Sequence, residues 1–178
     1  MGRLGRHDRL RDRHTDRAAG DAGAGVTLRI DVPDADAMHG FGVRLGRALR
    51  AGDLVVLTGP LGAGKTTLTR GIGEGLGVRG PVSSPTFVLA RTHPSLVDGP
   101  PLVHVDAYRL GSPAELDDLD LDLERSAVVV EWGAGMVDGM AESVLEVRID
   151  RRDDDTRHVE LEGTGPRWVD DQQVLAPR

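Results

Sequence analysis

The stretch Leu54-Val55-Val56-Leu57-Thr58-Gly59-Pro60-Leu61-Gly62-Ala63-Gly64-Lys65-Thr66-Thr67 constrains the fold more than any other part of the chain. Its four consecutive apolar residues read as a short strand covered on both faces, the usual condition of a parallel strand. A glycine-rich turn follows, and Leu68, Ile72 and Leu76 then recur at i, i+4 and i+8, one face of a helix. The turn itself, residues 59–66, fits G-x-x-x-x-G-K-[ST]. Each residue type has a mechanical reason. Glycines let backbone N–H groups turn inward around phosphate oxygens, and the following helix N-terminus adds partial positive charge. The Lys65 ammonium would reach the β- and γ-phosphates, and the Thr66 hydroxyl stands where it can ligate Mg²⁺. Gly71, Gly73 and Gly75 lie inside the helix, each costing up to ~1 kcal/mol relative to alanine, so packing must hold it, with Gly77 as its stop.

Composition sharpens this assignment. Of 22 basic residues only Lys65 is a lysine. A compact ammonium on a flexible stem fits inside a phosphate loop where a planar guanidinium does not, which explains why lysine survives at this place in an arginine-rich chain. Cysteine is absent, excluding disulfides, thiolate metal sites and a cysteine nucleophile. The five aromatics (Phe41, Phe87, Tyr108, Trp132, Trp168) cannot build a stacking platform for single strands. A net charge of −7 opposes nucleic-acid binding by the chain as a whole. With no apolar run near the roughly 20 residues of a membrane span and no secretory pattern, the expectation is a cytoplasmic protein without membrane contact.

The 178 residues suit one domain with additions. Residues 1–25 carry six arginines, four aspartates and little aliphatic surface, and read as a disordered arginine-rich extension. The folded domain is expected over 26–165 and a C-terminal tail over 166–178. Residues 26–32 alternate apolar and polar positions as a half-buried strand does. Asp34 or Asp36 can cap a helix in which Met38, Phe41, Leu45 and Ala48 or Leu49 face inward and Arg44, Arg47 and Arg50 outward. Further strands are expected at 102–105, 128–130, 144–149 and 158–161. The predicted class is α/β, a P-loop architecture with a central, largely parallel sheet flanked by helices.

A phosphate loop needs an acidic partner at the end of another buried strand. Val128-Val129-Val130-Glu131-Trp132 and Leu102-Val103-His104-Val105-Asp106 both offer one, at the strand edge where open α/β sheets bind ligands. Other patterns mislead. Gly75-Leu76-Gly77-Val78-Arg79-Gly80 spells G-x-G-x-x-G but follows a helix. Asp118, Asp120 and Asp122 imitate a calcium loop, yet Leu123 and Val129 stand where glycine and glutamate are required, so the run reads as a solvated or partner-facing segment. The histidines show no paired ligand spacing, and His104 reads simply as a sheet-edge residue.

Four blocks in order carry a family likeness: Leu61-Gly62-Ala63-Gly64-Lys65-Thr66-Thr67, Ser83-Ser84-Pro85-Thr86-Phe87, His104-Val105-Asp106-Ala107-Tyr108-Arg109 and Val130-Glu131-Trp132. Over about residues 30–150 the chain resembles the TsaE (YjeE) P-loop ATPases of bacterial tRNA threonylcarbamoyladenosine synthesis. It departs at Pro60, where the family usually has an acidic residue. The resemblance implies that Gly59, Gly62, Ala63, Gly64, Lys65, Thr66 and Thr67 hold ATP phosphates, with Trp132 beside the nucleotide. It implies that Thr66 and Glu131 bind Mg²⁺ and that Lys65, Asp106 and Thr86 serve hydrolysis, Asp106 by positioning water or metal and Thr86 as a γ-phosphate sensor. Arg157 is a weaker candidate for approaching ATP. The implied partners are TsaD, which transfers the threonylcarbamoyl group to adenosine 37 of tRNA, and TsaB, with ATP hydrolysis serving turnover of that complex and tRNA met only indirectly. The competing readings are a small-molecule or nucleotide kinase with the same loop, and an RNA-binding module dominated by the arginine arm.

Overall fold

In a computed structural model, residues 25–85 and 88–170 are described. The elements run β1 (Val26–Val32), α1 (Ala35–Ala48), β2 (Leu54–Thr58), α2 (Lys65–Leu76), β3 (Ala90–His93), β4 (Leu102–Asp106), α3 (Pro113–Asp117), β5 (Ala127–Glu131), β6 (Val144–Arg151), β7 (Arg157–Thr164) and α4 (Pro166–Asp170). They form one seven-stranded sheet in the order β1-β7-β6-β2-β5-β4-β3. Parallel pairing joins four adjacent strands, β6, β2, β5 and β4. Antiparallel pairs close the flanks, with β7 and β1 on one side and β3 on the other. The α/β class and the buried parallel centre agree with the sequence. The antiparallel flank agrees with the alternating burial of β6 and β7, as expected for strands with one covered face.

One face of the sheet packs under α1, α2 and α4, with Val55, Leu57, Leu145, Val147, Ile149 and Leu161 fully buried. Asp34 caps α1 by accepting from the Ala37 N–H at 2.8 Å, and Met38, Phe41, Leu45 and Leu49 point inward as their spacing predicts. The other face is covered by α3 and by loops carrying Leu119, Leu121, Leu123, Met136 and Val137. The acidic run there alternates exposed Asp118, Asp120 and Asp122 with half-buried leucines, which makes it the solvated side of a cover over the sheet.

The glycines of α2 find their explanation in α1. A Cβ on Gly71 would lie 2.2 Å from the His39 carbonyl oxygen and one on Gly75 2.2 Å from that of Val43. Reciprocally, a Cβ on Gly42 would lie 2.4 Å from the Leu68 carbonyl oxygen and one on Gly46 2.2 Å from that of Ile72. Two glycine pairs at i, i+4 thus bring the helix backbones into contact. Gly46→Ala is expected to lower stability by about 1–3 kcal/mol through overpacking, against the ~1 kcal/mol alanine gains in an exposed helix. A urea unfolding curve checks this, and a stabilised variant would contradict the crossing.

One expectation is corrected, and one strand goes beyond the sequence reading. The domain does not end at 165: Pro166–Asp170 forms α4 and buries Trp168 completely, so the tail boundary at 166 cuts through the core. β3 carries no apolar alternation and escapes sequence reading, because it forms by pairing with the otherwise open edge of β4. The extension over residues 1–25 lies, apart from Gly25, outside the described residues, as do residues 171–178. Among the described residues, no helix is long and apolar enough to cross a membrane.

Candidate functional site

The glycine turn leaves the C-terminal end of β2 and enters α2. Gly59, with φ +144°, passes so close to β6 that a Cβ would lie 2.3 Å from the Ile149 carbonyl oxygen. Gly64, at φ +117°, takes the left-handed region as the residue preceding α2. Behind it, Met38 of α1 stands 3.6 Å from where a Gly64 Cβ would be, so α1 backs the loop. A cavity of about 450 Å³ opens above, lined by Leu61, Gly62, Gly64, Lys65, Thr66, Thr67, Ser84, Asp106, Tyr108, Glu131 and Trp132.

Lys65 is buried and donates to the carbonyl oxygens of Gly59 at 2.7 Å and Pro60 at 3.0 Å. Its Nζ also sits 3.6 Å from the centroid of the Trp132 ring, a cation–π contact. Burial pushes the Lys65 pKa below the usual lysine range, and the charges of Glu131 and Asp106 partly oppose this. Trp132 extends the sheet by one bond, its N–H donating to the Leu57 carbonyl at 2.9 Å. Its φ of +63° is left-handed, a conformation a tryptophan rarely adopts, and the site is where such strain collects. Tyr108 tilts against it with ring centroids 5.2 Å apart.

Parallel register sets Asp106 of β4 directly opposite Glu131 of β5 at the end of the sheet. Glu131 is buried and accepts from the Thr66 hydroxyl at 3.1 and 3.3 Å. Asp106 accepts from the Tyr108 N–H at 3.1 Å and from the Ser84 hydroxyl at 3.4 Å. Thr66 and Glu131 offer hard oxygen donors only, and two protein ligands suit a magnesium ion that keeps its waters and shares phosphate oxygens. Among the described residues no group of three or more histidines, cysteines and carboxylates could hold an ion. The donor set therefore fits an ion arriving with a phosphate ligand rather than a self-contained metal cage.

Of the residues singled out in the sequence, the structure brings Gly62, Gly64, Lys65, Thr66, Thr67, Asp106, Glu131 and Trp132 to this one cavity. Gly59 and Ala63 are not part of its lining; Gly59 supplies a carbonyl to Lys65, and Ala63 is fully buried beneath the loop. Thr86 lies outside the described residues. Arg157 opens β7 opposite Val32 and Arg151 and does not line the cavity. The arginine near the loop is instead Arg151, with a guanidinium nitrogen 3.9 Å from where a Gly62 Cβ would be. The sequence assigned no role to Ser84 and Tyr108 individually and read His104 as a sheet-edge residue. His104 is fully buried rather than a sheet-edge residue, with Nε2 2.9 Å from Glu131 Oε1.

These positions can be set beside known proteins. Residues 32–159 match the family described as threonylcarbamoyl adenosine biosynthesis protein TsaE. A tRNA threonylcarbamoyladenosine biosynthesis protein TsaE of Streptomyces coelicolor is 63% identical over 147 residues, covering 78% of this chain and 99% of that protein. The protein of the same description from Mycobacterium tuberculosis strain H37Rv is 49% identical over 142 residues, 75% of this chain and 83% of that one. The crystal structure of Bacillus subtilis YdiB superposes with a TM-score of 0.67 at 28% identity, over 86% of this chain and 94% of that one. The matched segment runs from the end of β1 into β7 and contains every residue of the cavity, so the likeness and the site coincide: the chain belongs to the TsaE family.

Proposed function

We propose that the protein is a magnesium-dependent ATPase of tRNA N6-threonylcarbamoyladenosine formation, acting in the cytoplasm on a TsaD–TsaB transferase and meeting tRNA only through it. The observation that carries this is the convergence of a phosphate loop, one lysine, the Thr66–Glu131 pair and Asp106 on a single cavity at the C-terminal sheet edge. Backbone N–H groups of residues 62–67 and the α2 N-terminus bind phosphate oxygens. Lys65, held by two carbonyls, exchanges them for phosphate. Magnesium, when bound, neutralises developing charge on the phosphates, and Thr66 and Glu131 hold it. Asp106, kept facing the cavity by Tyr108 and Ser84, accepts a proton of the attacking water and aligns it. The names of the relatives and the family support the pathway. An acidic protein that leaves tRNA to its partners also suits the net charge of −7.

The decisive experiment measures phosphate release and modified-tRNA turnover with TsaD and TsaB from the same organism, with and without this protein and ATP. Turnover that requires both is expected. Stoichiometric transfer of labelled phosphate to a small acceptor would establish a kinase instead. Glu131→Ala is expected to weaken ATP binding in magnesium by about tenfold or more, ~1.4 kcal/mol, with little change in metal-free ADP binding. Isothermal titration distinguishes the two, and equal effects would move the metal to Asp106.

A further inference from the structure

Glu131 is not oriented by Thr66 alone. His104, fully buried, reaches the same carboxylate, its Nε2 2.9 Å from Oε1. In the β4–β5 register Asp106 lies opposite Glu131 and His104 opposite Val129, so His104 and Glu131 are diagonal neighbours on one face of the sheet. On the same face β3 sets Arg91 opposite His104 and His93 opposite Leu102, while the apolar neighbours are Leu102 on its own strand and Ala127 and Val129 on the next. The other ring nitrogen, Nδ1, is buried with no hydrogen-bonding partner among the described residues. An imidazole is a poor filler for such a place, since one polar atom is buried unpaired, and an aliphatic side chain would pack there without that cost.

We propose that His104 is a positioning residue for the metal-binding carboxylate. With no partner at Nδ1 among the described residues and a carboxylate at Nε2, the ring proton belongs on Nε2, which donates to Oε1. The bond fixes the Glu131 side chain so that its remaining lone pairs face Thr66 and the cavity. Carboxylates that ligate metals are commonly held by such an outer hydrogen bond, and the loss of one reduces metal affinity or activity by about 10–100-fold. The inference rests on the assignment of Thr66 and Glu131 to magnesium made above.

The test uses the full chain with His104→Leu, which fills the space without a donor, and His104→Gln, which returns an N–H near Nε2. ATP affinity is measured by calorimetry in magnesium and in EDTA. The leucine variant is expected to lose about 10–100-fold of the magnesium enhancement while its EDTA affinity is unchanged, and glutamine is expected to restore most of it. A leucine variant with the full enhancement, or one losing both affinities equally, would make His104 a packing residue and overturn the proposal. A wild-type protein with no magnesium enhancement would overturn the metal assignment itself, a failure visible before any substitution. Should the leucine variant not fold, long-range ¹⁵N–¹H spectra of the wild type decide: an Nε2-protonated ring whose signal shifts in Glu131→Gln is expected, and an Nδ1-protonated ring would refute the bond.

Discussion

Lys65→Ala is expected to reduce ATP hydrolysis by about 10²–10³-fold, the loss seen when one preorganised electrostatic contact to developing charge is removed. The fold should survive. Lys65 fills no apolar core; its ammonium is held by the Gly59 and Pro60 carbonyls and the Trp132 ring, and burial makes that cation costly to keep. Glu131 and Asp106 offset that cost only in part, so the residue is expected to serve an anionic ligand rather than stability. Thermal melting of the variant should match or exceed the wild type while steady-state phosphate release collapses. Turnover close to wild type would remove Lys65 from the site. Lys65→Arg should rescue little, because a planar guanidinium does not enter a loop shaped around a point charge.

Trp168→Ala is expected to cost about 3–5 kcal/mol, a large part of the ~5–15 kcal/mol that holds a domain together. The indole is fully buried in the cluster under α1 and α2, and Arg167 beside it anchors α4. Arg167 pairs with buried Asp53 at 2.9 and 3.2 Å, donates to the Ala48 carbonyl at 3.0 Å and lies over the Trp168 ring at 4.5 Å. Removing residues 166–178 should cost at least as much, since Asp53 would be left charged and buried without its guanidinium. Urea midpoints with unchanged slopes would measure both. A loss below about 1 kcal/mol would return this segment to the status of a dispensable tail.

The elements legible in the sequence are those whose reason is local. The run 54–57, the glycine turn and the 3.6-residue spacing of α1 and α2 each state their own conformation, and the apolar runs ending in Asp106 and Glu131 announce a sheet edge. What escaped depends on partners far away in the chain. Trp168 sits among polar residues, and only the packing of α4 against β7 and α1 reveals it as core. His104 alternates with valines like any strand residue, and its bond to Glu131 exists because β5 arrives in parallel at one particular register. Arg157 and Arg151 could not be ranked from sequence, since the turn of the β6–β7 hairpin decides which arginine reaches the loop.

The backbone-to-backbone crossing of α1 and α2 has a mechanical consequence. A joint made through glycines has no rotamers to redistribute and forfeits no side-chain entropy on forming, so it has one geometry and little give. The phosphate loop is bolted to α1 through that joint and through Met38. The rest of the lining comes from other elements: Ser84 after α2, Tyr108 from a short 3-10 turn after β4 and the left-handed Trp132 at the end of β5. A ligand filling the cavity is expected to press against a wall fixed by that joint, so any shape change it causes is expected on the side of Ser84, Tyr108 and Trp132 instead.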